Sequence, residues 1–344
     1  MTKRLVCPAR GEVAWAEVTL RELGAADVRV RCTHGCEKHG TMMAFFKGYA
    51  NDRGRWDANL RMHLPHEGML WNYPIPLGNM QVGVVTQAGE SSGRAVGERV
   101  FFHGFFQPET VLPGVDTWSL PDGVAWQDAM LMDPAEFALG AIRDGHVRIG
   151  DRVAVFGLGA IGLCVVQLLR TAGASQIIAS DPVAERRELA LTLGATHVTT
   201  GNDDVGGQIR ELTAGHGVDV AIDFSGAMPA LQAAIRGVAY GGTIVCGAFP
   251  APFGPGLDLG GEAHMNRPRI VFSRACSDPN PDHPRWDHPR IQHEVVALIR
   301  GGHLRGSAML TPVVPFDALR DVYPQIAMSP AGMIKLGVEY PPTG

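Results

Sequence analysis

Residues Arg152–Asp181 read RVAVFGLGAIGLCVVQLLRTAGASQIIASD, and this stretch decides the fold. A short apolar run, typical of a buried strand, leads directly into Gly157, Gly159 and Gly162 in G-x-G-x-x-G spacing. An apolar helical segment, a second apolar run and Asp181 follow. The first glycine permits a tight turn, the second lets a pyrophosphate approach the backbone, and the third lets helix and strand pack closely. We therefore interpret the stretch as a dinucleotide site, in preference to an α/β crossover without a ligand.

The rest of the predicted cofactor site follows from the same geometry. Ala160 and Ile161 lie where the helix opens, and a pyrophosphate binds at a helix N-terminus. Two later predicted strands end near Ser225 and Gly247. Because ligands of doubly wound sheets lie at the carboxyl ends of the strands, we expect these four residues beside the dinucleotide.

Asp181 also predicts which dinucleotide binds. Its carboxylate would accept hydrogen bonds from a ribose diol. It would repel an adenosine 2′-phosphate by up to roughly 4 kcal/mol at about 4 Å and an effective dielectric of about 20. Arg186 and Arg187 soften this preference if they turn toward the ribose, and otherwise belong to the solvated face of the next helix. The sequence favours NAD over NADP.

Composition excludes several functional classes. The 344 residues suffice for two domains with separate cores, and 45% hydrophobic with 19% charged residues is typical of a soluble globular protein. The net charge of −5 and the lack of a basic run give no support for nucleic-acid binding. No signal-peptide core or membrane-length apolar run is present. We expect a cytoplasmic protein with no membrane partner and a small-molecule substrate.

The order of patterns along the chain predicts an α/β fold. Residues 1–123 are rich in turns and in alternating strands such as DVRVRC, and helical periodicity begins near Trp126. From there, strands and helices alternate through VDVAIDFSG and GGTIVCGAF. This alternation predicts a doubly wound parallel sheet behind a β-rich first domain.

That layout resembles the medium-chain dehydrogenase/reductase superfamily over essentially the whole chain. The matching pieces are VRVRC, GTMMAFFKG, PLGNMQVGVV, VGERVFFHG, GDRVAVFGLGAIG, SDPVAERRELALTLGA and VDVAIDFSG. The resemblance implies a GroES-like catalytic domain at 1–138, a Rossmann domain at 139–276 and a return to the catalytic domain at 277–344. The nearest likeness is to sorbitol- and alcohol-dehydrogenase-type members. A further likeness is to the branch that includes bacteriochlorophyllide dehydrogenases and lacks the usual zinc site.

The zinc ligands of that family are altered here. Zinc-type members bind the catalytic metal with a Cys two residues before the Thr of a G-T-D segment, where this chain has His39. Their G-H-E appears as Gly78-Asn79-Met80, and their Glu-Pro pair begins with Asp133. Asn79 is a poor zinc ligand and Met80 cannot replace a carboxylate. We predict an enzyme without catalytic zinc, although His39 and Asp133 with a third group remain an alternative metal site. A compact cluster of Cys32, His34, Cys36 and His39 is a second alternative, but its spacing matches no familiar zinc pattern.

Without zinc, another group must remove the hydroxyl proton as hydride leaves. His39 stands in the place of a metal ligand and has an ordinary pKa near neutrality, and Thr41 matches the hydroxyl that relays the proton in the family. Asp133 or Glu136 would orient the imidazole or act as the base. The directions of the charged neighbours Glu37 and Lys38 are open, and both are readable as solvated residues.

Polar and aromatic residues suggest the substrate class. Asn79, Trp56, His63, His66 and Trp286 combine hydrogen-bonding groups with an aromatic platform, which favours a polyol, cyclitol or sugar. The alternatives are a zinc-free quinone or enone reductase and a non-catalytic NAD-binding sensor or interaction protein. The family resemblance implies a homodimer or homotetramer, with the strand near Val245 as one candidate contact.

Overall fold

The computed structural model describes residues 2–48, 54–65, 73–200, 204–277, 280–328 and 332–342. The chain forms two compact units. The first contains residues 1–130 and 310–344, and the second contains residues 131–309.

The first unit is built mainly of strands, as its alternating sequence predicts. Its strands are β1 (Thr2–Cys7), β2 (Ala14–Val18), β3 (Asp27–Cys36), β4 (Arg55–Asp57), β5 (Met62–Leu64), β6 (Ile75–Pro76), β7 (Met80–Ala88), β8 (Arg99–His103), β9 (Glu109–Pro113), β10 (Thr117–Ser119), β17 (Leu310–Pro315) and β18 (Lys335–Glu339). Its helices are α1 (His39–Lys47), α2 (Trp126–Ala129) and α10 (Leu319–Met328). Strands and helices of both units are numbered in the order in which they occur along the chain.

Strands from both ends of the sequence share the main sheet of this unit. The order is β10-β8-β7-β3-β18-β17, with β9 also paired to β3, and a small sheet has the order β2-β1-β6. Buried aliphatic and aromatic side chains form the core, and the rings of Phe316 and Tyr340 stack 4.8 Å apart. Burial of such large rings is the main favourable contribution to a core of this kind.

The second unit alternates helices and strands. Its strands are β11 (Arg152–Phe156), β12 (Gln176–Ser180), β13 (His197–Thr199), β14 (Val218–Asp223), β15 (Val238–Cys246) and β16 (Arg269–Phe272). Its helices are α3 (Met132–Asp144), α4 (Ala160–Ala172), α5 (Ala184–Leu193), α6 (Val205–Leu212), α7 (Met228–Gly237), α8 (Glu262–Asn266) and α9 (His288–Arg300).

All neighbouring strands of this sheet are parallel, in the order β13-β12-β11-β14-β15-β16. This is the order of a Rossmann sheet, in which the direction of winding reverses between β11 and β14. The predicted α/β fold, with a β-rich domain and a doubly wound parallel sheet, is confirmed. The glycine stretch therefore lies at the switch point, where ligands of such sheets bind.

The structure changes two details of the predicted organisation. Helix α9, assigned from sequence to the C-terminal return, packs against α3 of the second unit, and the return begins at Leu310. Polar contacts are the physical reason, because His288 and Gln292 of α9 both bind the buried Glu136 carboxylate of α3. The strand near Val245 is not an edge, because β15 lies between β14 and β16.

No helix within the described part of the chain is long and apolar enough to cross a membrane.

Candidate active site

Three glycines shape the turn after β11. Gly157 has a φ of +82°, and a Cβ there would lie 2.6 Å from the backbone nitrogen of Ser225. A Cβ on Gly162 would lie 1.9 Å from the carbonyl oxygen of Gly157. Around Gly159, by contrast, nothing lies within 4 Å of the corresponding position. Two glycines thus permit close packing, and the middle one leaves open space for a ligand, as the sequence predicts.

Helix α4 begins in that open space. Its N-cap is Gly159, no side chain caps the helix, and Ala160 and Ile161 form its half-buried first turn. The first backbone N–H groups of a helix lack partners within the helix and carry a partial positive charge. This end of α4 therefore fits the pyrophosphate of a dinucleotide.

The carboxylate of Asp181 joins the glycine turn to the following segment. It is buried, and its Oδ2 accepts a hydrogen bond from the Leu158 N–H at 2.8 Å while Oδ1 accepts from the Val183 N–H at 2.9 Å. Nη1 of Arg186 lies 3.8 Å from Oδ2. Since each carboxylate oxygen accepts two hydrogen bonds, both retain capacity for a ribose hydroxyl.

The other predicted cofactor residues follow the next two strands. Ser225 donates from its N–H (2.7 Å) and its Oγ (2.6 Å) to Asp223 at the end of β14. Gly247 follows β15 and donates its N–H to the Asp223 carbonyl oxygen at 2.9 Å. Asp223, which sequence reasoning missed although it ends the strand VDVAID, thereby fixes both turns. Burial raises the pKa of its carboxyl group.

The predicted proton path lies in the first unit. His39 is the first residue of α1, although its side chain is outside the described structure, and Thr41 follows it half-buried. The turn Gly78-Asn79 precedes β7. Gly78 has a φ of +123°, and a Cβ there would meet the Phe106 nitrogen at 2.7 Å. The amide nitrogen of Asn79 is buried and has no hydrogen-bond partner among the described residues.

Glu37 is a second residue that sequence reasoning did not assign. It is fully buried between β3 and α1, not solvated. Burial raises the pKa of its carboxyl group to about 7, against the opposing effects of the Lys38 N–H, Lys335, Tyr323 and the Gly78 backbone. No local pattern signals this, because Lys335 and Tyr323 come from the far end of the chain.

The two predicted carboxylates of α3 have different surroundings. Asp133 is buried in the first turn of the helix, where the helix dipole stabilises a negative charge. Both oxygens of Glu136 bind α9, at 2.7 Å to Nε2 of His288 and at 3.1 Å to Nε2 of Gln292. This geometry does not support the predicted catalytic role of Glu136, because its carboxylate already holds two helices together.

The predicted substrate residues are only partly brought together. Trp56 on β4 and His63 on β5 contact edge to face at 5.1 Å, and Trp56 is half exposed. His66 lies outside the described residues. The guanidinium groups of Arg143 and Arg290 lie over the Trp286 ring at 3.5 and 4.3 Å. They take up ring surface that a sugar would need, so this packing does not support Trp286 as a platform.

The alternative metal cluster in β3 receives no support from its surroundings. Cys32 and Cys36 are buried, and burial strongly raises the pKa of the Cys32 thiol, which disfavours the thiolate that binds zinc. The His34 ring stacks on Trp126 at 4.2 Å. Within the described ranges, no three His, Cys, Asp or Glu side chains lie close enough together to hold a metal.

Comparisons with known proteins agree with this geometry. Residues 160–279 match a family model described as zinc-binding dehydrogenase. The chain is 39% identical to D-guloside 3-dehydrogenase of Escherichia coli K12 over 354 aligned positions, covering 98% of this chain and 100% of that protein. It is 40% identical to (R,R)-butanediol dehydrogenase of Bacillus subtilis strain 168 over 37% of each chain. The crystal structure of 2R,3R-butanediol dehydrogenase from Bacillus subtilis superposes over 100% of both chains with a TM-score of 0.78 at 22% identity, which shows a common fold.

Gly157, Gly159 and Gly162 form a glycine cradle at the switch point of a Rossmann sheet. Together with the near-full-length identity to D-guloside 3-dehydrogenase, this shows a dehydrogenase that acts on alcohols. The chain belongs to the medium-chain dehydrogenase/reductase superfamily, as its sequence predicts.

Proposed function

We propose that this enzyme oxidises a secondary hydroxyl group of a sugar or glycoside to a ketone, with NAD as hydride acceptor and without catalytic zinc. The observation that carries the substrate class is the 39% identity, over almost the full length, to a protein named D-guloside 3-dehydrogenase. When bound, NAD takes the hydride from the carbinol carbon. The chain itself must hold the sugar and remove the hydroxyl proton.

The surroundings of Asp181 support NAD over NADP. Its carboxylate is buried and fixed by two backbone N–H groups, so it cannot turn away from a 2′-phosphate. Arg186 is already drawn to that carboxylate, and Arg187 donates to the carbonyl oxygens of Asp181 and Pro182. Both arginines are thus engaged locally, which reduces their ability to compensate a phosphate charge.

The residues at the places of the family's zinc ligands support acid–base chemistry by side chains. Asn79 offers a buried amide donor, which would repel a cation, and Met80 is fully buried with no carboxylate. In our proposal Thr41 accepts the proton of the substrate hydroxyl and passes it to His39, which acts as the general base. Asp133 remains a predicted orienting or basic group.

The proposed binding of the sugar uses the same polar residues. The unpartnered amide of Asn79 would donate to a sugar oxygen, and Trp56 with His63 offers an exposed ring surface of the kind on which sugar faces pack. These roles suit a substrate with several hydroxyl groups better than a simple apolar alcohol.

The test is NADH formation with a panel of methyl D-gulopyranoside, other methyl hexosides, polyols, a cyclitol and simple alcohols. Each reaction is run before and after exhaustive chelation, with metal content measured in parallel. We expect turnover on the hexosides that survives chelation. Loss of turnover on chelation and its restoration by zinc would overturn zinc independence. NADPH-dependent reduction of quinones or enones, or tight NADH binding without any turnover, would overturn the proposed reaction.

We further propose a cytoplasmic homodimer formed through the edge of the Rossmann sheet. Within the described structure β16 has a sheet neighbour on one side only, and Ile270 and Phe272 are 40% and 83% exposed. An apolar open edge is suited to pairing with a second copy. Sedimentation should show a dimer that Phe272→Glu dissociates, whereas Val115→Glu, at an equally exposed apolar residue of the other unit, leaves it intact. A monomeric parent protein would contradict this.

A further inference from the structure

The backbone of Glu37 is fixed to strand β18. Its N–H donates to the Leu336 carbonyl oxygen at 3.0 Å, and its own carbonyl oxygen accepts from Nζ of Lys335 at 2.7 Å. Lys335 is 2% exposed and begins β18. A buried ammonium group is costly unless it is paired and hydrogen-bonded, so this contact fixes the position of Glu37 strongly.

The Glu37 side chain links two segments that carry proposed functional residues. Its Oε1 accepts a hydrogen bond from the Lys38 N–H at 2.8 Å, immediately before α1 begins. The Gly78 backbone, just before Asn79, acts on the same carboxyl group by lowering its pKa. One buried side chain thus binds the start of the helix that contains His39 and Thr41 and is near the turn that presents Asn79.

The remaining surroundings leave this carboxyl group incompletely satisfied. Oε2 has no hydrogen-bond partner among the described residues. The Tyr323 hydroxyl likewise has no hydrogen-bond partner among the described residues. A packed apolar side chain at this position would avoid the desolvation penalty. A carboxyl group buried at this cost beside a backbone N–H that it binds therefore indicates a role other than filling the core.

We propose that Glu37, held by Lys335, is a positioning residue that fixes the start of α1 and the Gly78-Asn79 turn in the arrangement needed for proton removal. This inference rests on the proposed function. The hydrogen bond from the Lys38 N–H to Oε1 carries the positioning, so the acceptor oxygen of Glu37 matters more than its charge.

Steady-state kinetics on the full-length enzyme with NAD and methyl D-gulopyranoside, or the best hexoside of the panel, test the proposal. Glu37→Ala should lower kcat about tenfold or more, since small misplacements of reacting groups have large effects, and should change KM less than threefold. Glu37→Gln keeps an acceptor for the Lys38 N–H and should recover most of kcat. Lys335→Met, which removes the donor to the Glu37 carbonyl, should lower kcat as Glu37→Ala does.

Two controls separate positioning from simple destabilisation. Asp27→Asn alters another carboxylate of the first unit that is little exposed and bonded to a backbone N–H, and it should lower stability without changing kcat per folded molecule. Affinity for NADH, followed by fluorescence, should be unchanged in every variant. Normal kcat in folded Glu37→Ala, or in Lys335→Met if the first does not fold, overturns the inference. Absence of turnover in the parent protein instead overturns the proposed function.

Discussion

The glycine cradle of the second unit and the α1 segment of the first unit are built in opposite ways. The cradle is fixed by backbone geometry, since a side chain at Gly157 or Gly162 would overlap neighbouring backbone atoms. The α1 segment is fixed by side chains, since Lys335 holds the Glu37 that precedes it. A site of the first kind leaves a local sequence pattern, whereas a site of the second kind depends on distant partners. Four predictions test this contrast.

The largest effect is expected at the proposed proton path. His39→Ala and Thr41→Val should each lower kcat by about 10²- to 10⁴-fold, because removal of a positioned general base or its relay has effects of this size. NADH affinity should be unchanged, since the glycine cradle is built from residues of the second unit. The matched control is Thr86→Val at an exposed threonine of β7, which should retain full turnover. Near-normal turnover in both site variants would exclude the proposed path.

Alanine substitutions at two glycines of the cradle should have different effects on stability. Gly162→Ala places a Cβ 1.9 Å from the Gly157 oxygen, so we expect the free energy of unfolding to fall by about 3 kcal/mol. We also expect this variant to lose NADH binding. Gly159→Ala meets nothing within 4 Å and should melt like the parent protein, yet bind NADH more weakly. Thermal unfolding and fluorescence titration measure the two effects. Equal melting of both variants would contradict the packing argument.

Stability should depend on pH in opposite directions at two carboxylates. The folded-state pKa of Glu37 is raised from 4.5 to about 7, so the folded state binds a proton more tightly than the unfolded state. The contribution of Glu37 to the free energy of unfolding therefore falls by about 2 kcal/mol as pH rises from 5 to 7. The pKa of Asp27 is lowered by its hydrogen bond from Arg21, so its contribution is lost as pH falls.

Chemical unfolding from about pH 3 to about pH 7 checks both signs, since Asp27 titrates at the acid end and Glu37 at the neutral end of this range. Relative to the parent protein, Glu37→Gln should gain stability as pH rises, and Asp27→Asn should gain stability as pH falls. The same slope for both variants would refute the assignment.

The smallest effect is expected in cofactor choice. Asp181→Asn removes the charge that would repel a 2′-phosphate, so the ratio of kcat/KM for NADP to that for NAD should rise about tenfold. Glu185→Gln, an exposed acid in the first turn of α5, is screened by solvent and should leave the ratio unchanged. An unchanged ratio in Asp181→Asn would place the source of selectivity elsewhere.

The fold of the second unit could be predicted closely because its signals are local. The apolar run RVAVF before Gly157 forms β11 (Arg152–Phe156), and the stretch VDVAIDFSG contains β14 (Val218–Asp223). An apolar run bounded by glycines predicts a buried strand without any information about distant parts of the chain. The open position at Gly159 followed from spacing alone.

The candidate active site could be predicted only in part. Glu37 is charged and has a lysine neighbour, so its sequence context is that of a solvated residue, whereas its burial depends on Lys335 298 positions away. Glu136 lies in an apolar helical pattern with no sign of its partners His288 and Gln292. Asp223 was overlooked because an acid after an apolar strand has many roles. Pairings made by the tertiary fold have no local signature.

The position of β18 also bears on how the protein is made. β18 pairs with β3 in one sheet, so the sheet of the first unit remains incomplete until Lys335–Glu339 have left the ribosome. The second unit is continuous from 131 to 309, so all its strands are synthesised before β18. Although domains usually fold in order of synthesis, we expect the nucleotide-binding unit to be completed first here. The segment that we propose to remove the proton then becomes ordered last, so a chain that stops before β18 should bind NADH but should not oxidise the proposed substrate.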